Sequence, residues 1–260
     1  MTILDEIIKN KALEIQQQKK EVSLAHLKES AFYSRKCISI KKILEERKSP
    51  GIIAEHKRKS PSKGIINSDL ELKDVVRGYQ DAGASAVSIL TDMKYFMGKT
   101  EDVTIARNIL KIPILRKEFM IDEYQVYEAK AIGADFILLI AACLSRTQSE
   151  HLAGIAKSLG MDVLIEIHTA DELEIVPGNA DIVGVNNRNL KTFEVSIDTS
   201  IQLSPLIPDQ FIKISESGIS HTDNIKKLWE YGYKGFLIGE NFMKSDNPGE
   251  SCKSFIQKIQ

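Results

Sequence analysis

The 260-residue chain is expected to be an α/β protein, a closed (β/α)8 TIM barrel preceded by an N-terminal helical extension. Three observations predict this. From Gly51 onward, short apolar runs alternate with amphipathic stretches with little interruption. Several amphipathic stretches end in glycine and pass at once into the next apolar run. The runs are apolar on both faces, as in parallel strands covered by helices. Eight such units in about 210 residues favour a closed barrel over an open doubly wound sheet.

The elements follow in order. Residues 1–48 read as a largely helical extension: Leu4, Ile7, Ile8, Ala12 and Ile15 recur at helical spacing, and a second segment covers Leu24–Ala31. Pro50-Gly51 closes it. Strands are expected at Ile52–Glu55, Ala86–Leu90, Ile112–Arg116, Phe136–Ile140, Val163–Ile167, Ile182–Val185, Phe211–Ile214 and Gly235–Ile238. Helices are expected at Leu70–Ala82, Glu123–Ile132, Gln148–Leu159 and Asn224–Tyr231. Residues 1–260 form one domain, with no linker-like segment. No Gly-x-Gly-x-x-Gly follows the first strand, which argues against a dinucleotide site.

Composition excludes several function classes. The chain is 43% hydrophobic and 27% charged, ordinary for a globular protein. A net charge of −1 gives no electrostatic reason to expect nucleic acid or an anionic membrane surface. No apolar run approaches the roughly 20 residues that span a bilayer. The first ten residues lack the basic and apolar regions of a signal peptide. Cys37, Cys143 and Cys252 lie far apart without Cys-x-x-Cys spacing, so reduced thiols are expected and no zinc site. A cytoplasmic protein, monomeric as suits a free-standing barrel, is the expectation.

Function in a barrel collects at the C-terminal ends of the strands. Strand one ends in Glu55 and Lys57, whose i, i+2 spacing puts both on one face. The Ser-Pro-Ser-Lys-Gly that follows cannot extend the strand. Strand three ends in Arg116 and Lys117; Arg116 reads equally as a solvated end or an outer-face ion pair. Strand five carries Glu166 and His168, the latter also readable as a satisfied rim histidine. Strand six supplies Asn186 and Arg188 on one face. Strand seven ends in Glu216, Ser217 and Gly218, and strand eight in Gly239. One charged strand end is commonplace, but recurrence around the ring is not, because buried charges are rare. Close opposite charges should keep the carboxylates ionised, and crowding of two ammonium groups should lower a lysine toward a usable acid. Glycines ending strands seven and eight suit backbone binding of a phosphate. The implied ligand is a small anionic phosphate ester. No metal-ligand cluster, Ser-His-Asp arrangement or Cys-His pair is apparent.

These residues match a known family. Ala-Glu-His-Lys-Arg-Lys-Ser-Pro-Ser, Leu-Arg-Lys-Glu-Phe, Leu-Ile-Glu-Ile-His, Gly-Val-Asn-Asn-Arg-Asn-Leu and Ser-Glu-Ser-Gly-Ile occur in that order, and the chain resembles the indole-3-glycerol phosphate synthases over essentially its whole length. The resemblance implies a carboxy-lyase of tryptophan biosynthesis without cofactor or metal. It implies that Lys117 is the general acid on the keto oxygen and Glu166 the acid or base of the dehydration. Lys57 would be a substrate contact and second acid, with Glu55 and Glu216 orienting and charge-matching these groups. Asn186 and Arg188 would hold the substrate's carboxylate and hydroxyls. Ser60, Gly218 and Gly239 would line the phosphate site with Ser217 close by, and Phe96 and Phe119 would wall the aromatic ring, though both also read as ordinary core aromatics. His56 and Glu240 depart from the family pattern, and His56 should point away from the pair beside it. Another phosphate-binding barrel, such as phosphoribosylanthranilate isomerase, would need a cysteine–aspartate pair at strand ends. A binding-only barrel could shed its unfavourable buried charges.

Overall fold

Alternating apolar runs and glycine-ended helices do close into a barrel. The computed structural model describes residues 2–190 and 192–259; the expected extension and domain begin at Met1, and the domain ends at Gln260, both outside the described residues. The strands are β1 (Gly51–His56), β2 (Ala86–Leu90), β3 (Ile114–Lys117), β4 (Phe136–Ile140), β5 (Asp162–Ile167), β6 (Ile182–Asn186), β7 (Ile212–Glu216) and β8 (Tyr233–Ile238). All pair in parallel, and β1 closes on β8 with Gly51 opposite Gly235. β3 begins two residues later than expected. Pro113 has no N–H for the ladder, although its carbonyl accepts from the Val87 N–H at 2.9 Å. β3 then continues to Lys117 and β7 to Glu216, so both strands hold their charged ends in register with their neighbours.

The expected helices are α4 (Leu72–Asp81), α7 (Glu123–Ala131), α8 (Arg146–Ser158) and α10 (Thr222–Glu230). Their C-terminal glycines adopt left-handed backbone, as at Gly133 (φ 97°) and Gly160 (φ 73°). Unanticipated are α5 (Met93–Phe96), α6 (Thr100–Arg107), the short α9 (Asp198–Leu203) and α11 (Glu240–Met243), and α12 (Pro248–Gln257). A two-stranded hairpin, Lys59–Ser60 with Gly64–Ile65, opens the loop after β1. α12 meets α4 where Gly249 crosses Gly78; a Cβ on Gly249 would lie 2.8 Å from the Gly78 Cα. Among the described residues, no helix is long and apolar enough to cross a membrane.

The extension is helical but does more than precede the barrel. α1 (Ile3–Glu21) starts with a reciprocal cap between Thr2 and Asp5, and α2 (Leu24–Lys28) stops short of the expected Ala31. α3 (Ile40–Glu46) inserts beneath the barrel. Its Ile40 and Leu44 are fully buried with Ile53, Leu115, Phe136, Leu164 and Ile214, the interior of the sheet. Gly51 and Gly235 make room, since a Cβ on either would press into Leu44. Burial of each such side chain contributes roughly 1.5–3 kcal/mol. α1 lies at the opposite end, where Ile3, Leu4 and Ile7 face the mouth. It is tied down by Lys11, whose Nζ lies 2.6 Å from Glu14, 2.8 Å from Asp92 and 3.1 Å from Glu118.

Candidate active site

At the C-terminal ends of the strands lies a cavity of about 260 Å³ lined by Glu55, Lys57, Lys117, Glu166, Asn186 and Glu216. Strand pleat explains the gathering: Ile53 and Glu55, Leu115 and Lys117, Leu164 and Glu166, and Ile214 and Glu216 are i, i+2 pairs, so the charged residue stands one layer above an interior apolar one. Ser60, Phe96, Phe119, Arg188, Ser217, Gly218 and Gly239 line the same cavity. Every residue that the family resemblance assigns to the site therefore lines this one cavity. Arg116 points outward, as its alternative reading required. Its guanidinium donates to Glu128 at 2.5 Å on α7 and to the Gln125 carbonyl at 3.0 Å. His56 also faces away, and its burial lowers it to about 4.

Two lysines organise the floor through three ion pairs. Lys57 Nζ donates to Glu55 Oε1 at 2.5 Å. Lys117 Nζ bridges Glu166 Oε2 at 3.0 Å and Glu216 Oε2 at 2.5 Å. This corrects the expectation that crowded ammonium groups lower a lysine. Lys117 has carboxylates for neighbours, and although burial opposes its charge, Glu166, Glu216 and Glu55 hold it well above the ordinary range. The carboxylates diverge. Burial works against ionisation of Glu166, but Lys117, His168 and Asn186 prevail and hold it down at about 2. Burial pushes Glu216 up to about 7, and the adjacent Glu166 and Glu55 charges add to that against the pull of Lys117. Ionisation is thus uneven across the ring, where uniform ionisation was expected.

Glycine makes space for this polar layer. A Cβ at Gly184 in β6 would collide with Glu216 Oε1, and one at Gly239 with Glu55. Asn186 donates to Glu166 Oε1 at 3.1 Å and accepts from the Arg188 N–H at 3.0 Å, so it positions the carboxylate as well as facing the cavity. Arg188 donates to the Phe193 carbonyl at 3.3 Å and stands 4.0 Å from Glu240. Ser217 (φ 65°) and Gly218 (φ 72°) turn the chain sharply after β7, and the Asn187 amide holds the Ser217 carbonyl at 3.1 Å. Phe96 and Phe119 face one another with ring centroids 6.1 Å apart, forming an apolar wall.

Sequence reasoning missed six contributors. Ile3, Leu4 and Ile7 reach the cavity from α1, a contact between distant segments that no local spacing reveals. Lys11 anchors them, and its place four residues from both Ile7 and Ile15 on the buried stripe was a usable signal. Gly184 inside an apolar strand was another. Glu118, between Lys117 and Phe119, accepts from Thr91 Oγ1 at 2.7 Å and holds the strand end in place.

Comparison with known proteins adds family to geometry. Residues 4–255 match the family model described as indole-3-glycerol phosphate synthase. The indole-3-glycerol phosphate synthase of Bacteroides thetaiotaomicron is 46% identical over 258 residues, spanning 99% of each chain. That of Acinetobacter baumannii is 41% identical over 261 residues, spanning 100% of this chain and 97% of its own. Among solved structures, KGPDC from Streptococcus mutans superposes with a TM-score of 0.62 at 13% identity, covering 82% of this chain and 98% of that one. Tryptophan synthase subunit alpha from Legionella pneumophila gives 0.61 at 13% identity, covering 85% and 97%. At such identities the two structures share the fold alone. The sequence matches go further: the chain belongs to the indole-3-glycerol phosphate synthase family.

Proposed function

We propose that the chain closes the ring of 1-(2-carboxyphenylamino)-1-deoxyribulose 5-phosphate, with loss of carbon dioxide and water, to give indole-3-glycerol phosphate for tryptophan biosynthesis. The observation that carries the reading is Lys117, a fully charged ammonium held between Glu166 and Glu216 inside the barrel mouth. A ketone attacked by an aromatic carbon needs a proton donor at its oxygen, and Lys117 supplies one. Decarboxylation of the resulting cation needs no base, because the cation is itself the electron sink. Dehydration needs an acid for the departing hydroxyl and a base for the proton lost as the ring becomes aromatic. Glu166, held at about 2, is ionised at neutral pH and suits the base; Lys57, with Glu55 behind it, suits the second acid.

Binding follows the same geometry. Arg188 and Asn186 face the side where the substrate's carboxylate and hydroxyls would sit, and Phe96 with Phe119, tilted by 42°, offer an apolar wall to the anthranilate ring. Ser60 and the backbone at Gly218 and Gly239 would take the phosphate, at the place where barrels commonly bind one. The reading extends to a monomer acting in the cytoplasm, testable by sedimentation and cell fractionation. Its principal test is Lys117→Ala, followed by indole fluorescence after substrate is added. Turnover should fall about 10²–10⁴-fold, the usual contribution of a positioned acid, with the circular dichroism spectrum unchanged. Turnover near that of the parent would overturn the role of Lys117.

A further inference from the structure

Glu166 touches a group that the reaction does not call on. His168, two residues further along the same face of the chain, places its Nε2 3.3 Å from Glu166 Oε1. That is ion-pair distance, off the line of a hydrogen bond, and Nε2 is buried with no other partner. The ring does not line the cavity. It is pinned from behind by Glu172, on the short 3-10 segment Asp171–Ile175, whose Oε2 accepts the His168 backbone N–H at 2.6 Å and lies 3.4 Å from Nδ1. Glu172, His168 and Glu166 therefore form a file of carboxylate, imidazole and carboxylate running from the barrel rim to the base.

The file answers a problem that Lys117 creates. Lys117 compensates the charge of buried Glu166 in the free protein, but the same ammonium must turn to the substrate's oxygen. Asn186 remains, and it is neutral. An uncompensated carboxylate in that position takes up a proton and ceases to be a base. We propose that His168, anchored by Glu172, is a positioning residue that keeps Glu166 ionised and aimed while Lys117 is engaged with substrate. This rests on the reading of Glu166 as the base of the dehydration.

The surrounding groups agree in sign. Burial disfavours an imidazolium, yet the Glu172 hydrogen bond and the charges of Glu166, Glu172 and Glu216 raise His168 above its ordinary value. Cys143, packed near Glu166 and Glu172, is pushed up to about 12 by burial and stays a neutral thiol. Lys117 is the other cation facing Glu166, and Asn186 the neutral donor.

The experiment is the pH profile of kcat for His168→Gln and Glu172→Gln. An opposite charge at this range shifts a carboxylate by roughly one to three pH units, so the acid limb of His168→Gln should move up by about one unit or more. Turnover then falls about tenfold at the acid end and little at the alkaline end, with KM nearly constant. Glu172→Gln keeps the ring but loosens it; its limb should move the same way by less, and the His168 ring resonance should titrate at lower pH. Should His168→Gln not fold, Glu172→Gln decides alone. An unmoved limb, or a loss uniform in pH, overturns the proposal. Glu166→Gln in the same assay separates the two readings. Parent-like turnover there would overturn Glu166 as base, whereas an inactive Glu166→Gln beside an unmoved His168→Gln overturns only the role of His168.

Discussion

Lys117 serves two carboxylates at once, yet burial prevails over it at Glu216 while Lys117, His168 and Asn186 prevail at Glu166. Glu216 is buried, has an oxygen without a partner beside Gly184, and is pushed up to about 7 from an ordinary 4.5. A carboxyl whose folded value is raised stabilises the fold fully below the unfolded value and loses that contribution as pH climbs through the folded one. Glu216→Gln copies the protonated form. Its melting temperature relative to the parent should therefore rise between pH 4.5 and 7, by an amount worth at most about 3 kcal/mol. Thermal melts across that interval check it, and a constant difference would refute the assignment. The cluster itself was legible from the sequence, because side chains two apart on a strand share a face and five strand ends repeated the pattern. The proton affinities were not. They depend on what each carboxylate meets besides Lys117: Asn186 and His168 lower Glu166, while burial and the neighbouring carboxylates raise Glu216, and these are contacts between different strands.

Among elements, the strands were the most readable and the extension the least. Both-face burial makes each strand a continuous apolar run, so the eight expected strands agree with the structure to within two residues, the largest differences being the late start of β3 after Pro113, the later end of β7 and the earlier start of β8. α1 and α3 carry ordinary amphipathic patterns, and a pattern says that a face is buried without saying against what. α3 proves to be a plug and α1 a cover. The two should separate in mutagenesis. Leu44→Ala leaves a void under the barrel and should cost about 2–5 kcal/mol while kcat/KM at low temperature stays near the parent's, since Leu44 lies at the end away from the cavity. Denaturant titration beside steady-state kinetics measures both; a large kinetic loss would show that the plug reaches the site.

For the whole molecule, closure is what has to be secured, and it is secured twice. The sheet closes through the β1–β8 ladder, and the surrounding helices close where α4 and α12 cross at Gly78 and Gly249. The first and last units of the barrel thereby clasp each other outside the ladder they also form. Gly249→Ala forces the helices apart, because the new Cβ meets backbone rather than a yielding side chain. A destabilisation of about 1–3 kcal/mol with unchanged KM is expected, measured by melting and initial rates. The ladder was foreseeable from the eightfold alternation. The helix crossing was not, since a pair of glycines 171 residues apart carries no joint signal in a single sequence.

The plug has one more consequence, for traffic. With Ile40 and Leu44 filling the far end among the described residues, the cavity opens at its mouth, under α1 and past the hairpin that follows β1. In the proposed reaction carbon dioxide and water are small, but indole-3-glycerol phosphate is nearly as large as its precursor and would take the same proposed phosphate seat. Departure must then precede arrival, which makes the product a natural competitor of the substrate and the mouth's opening a candidate pacemaker of turnover.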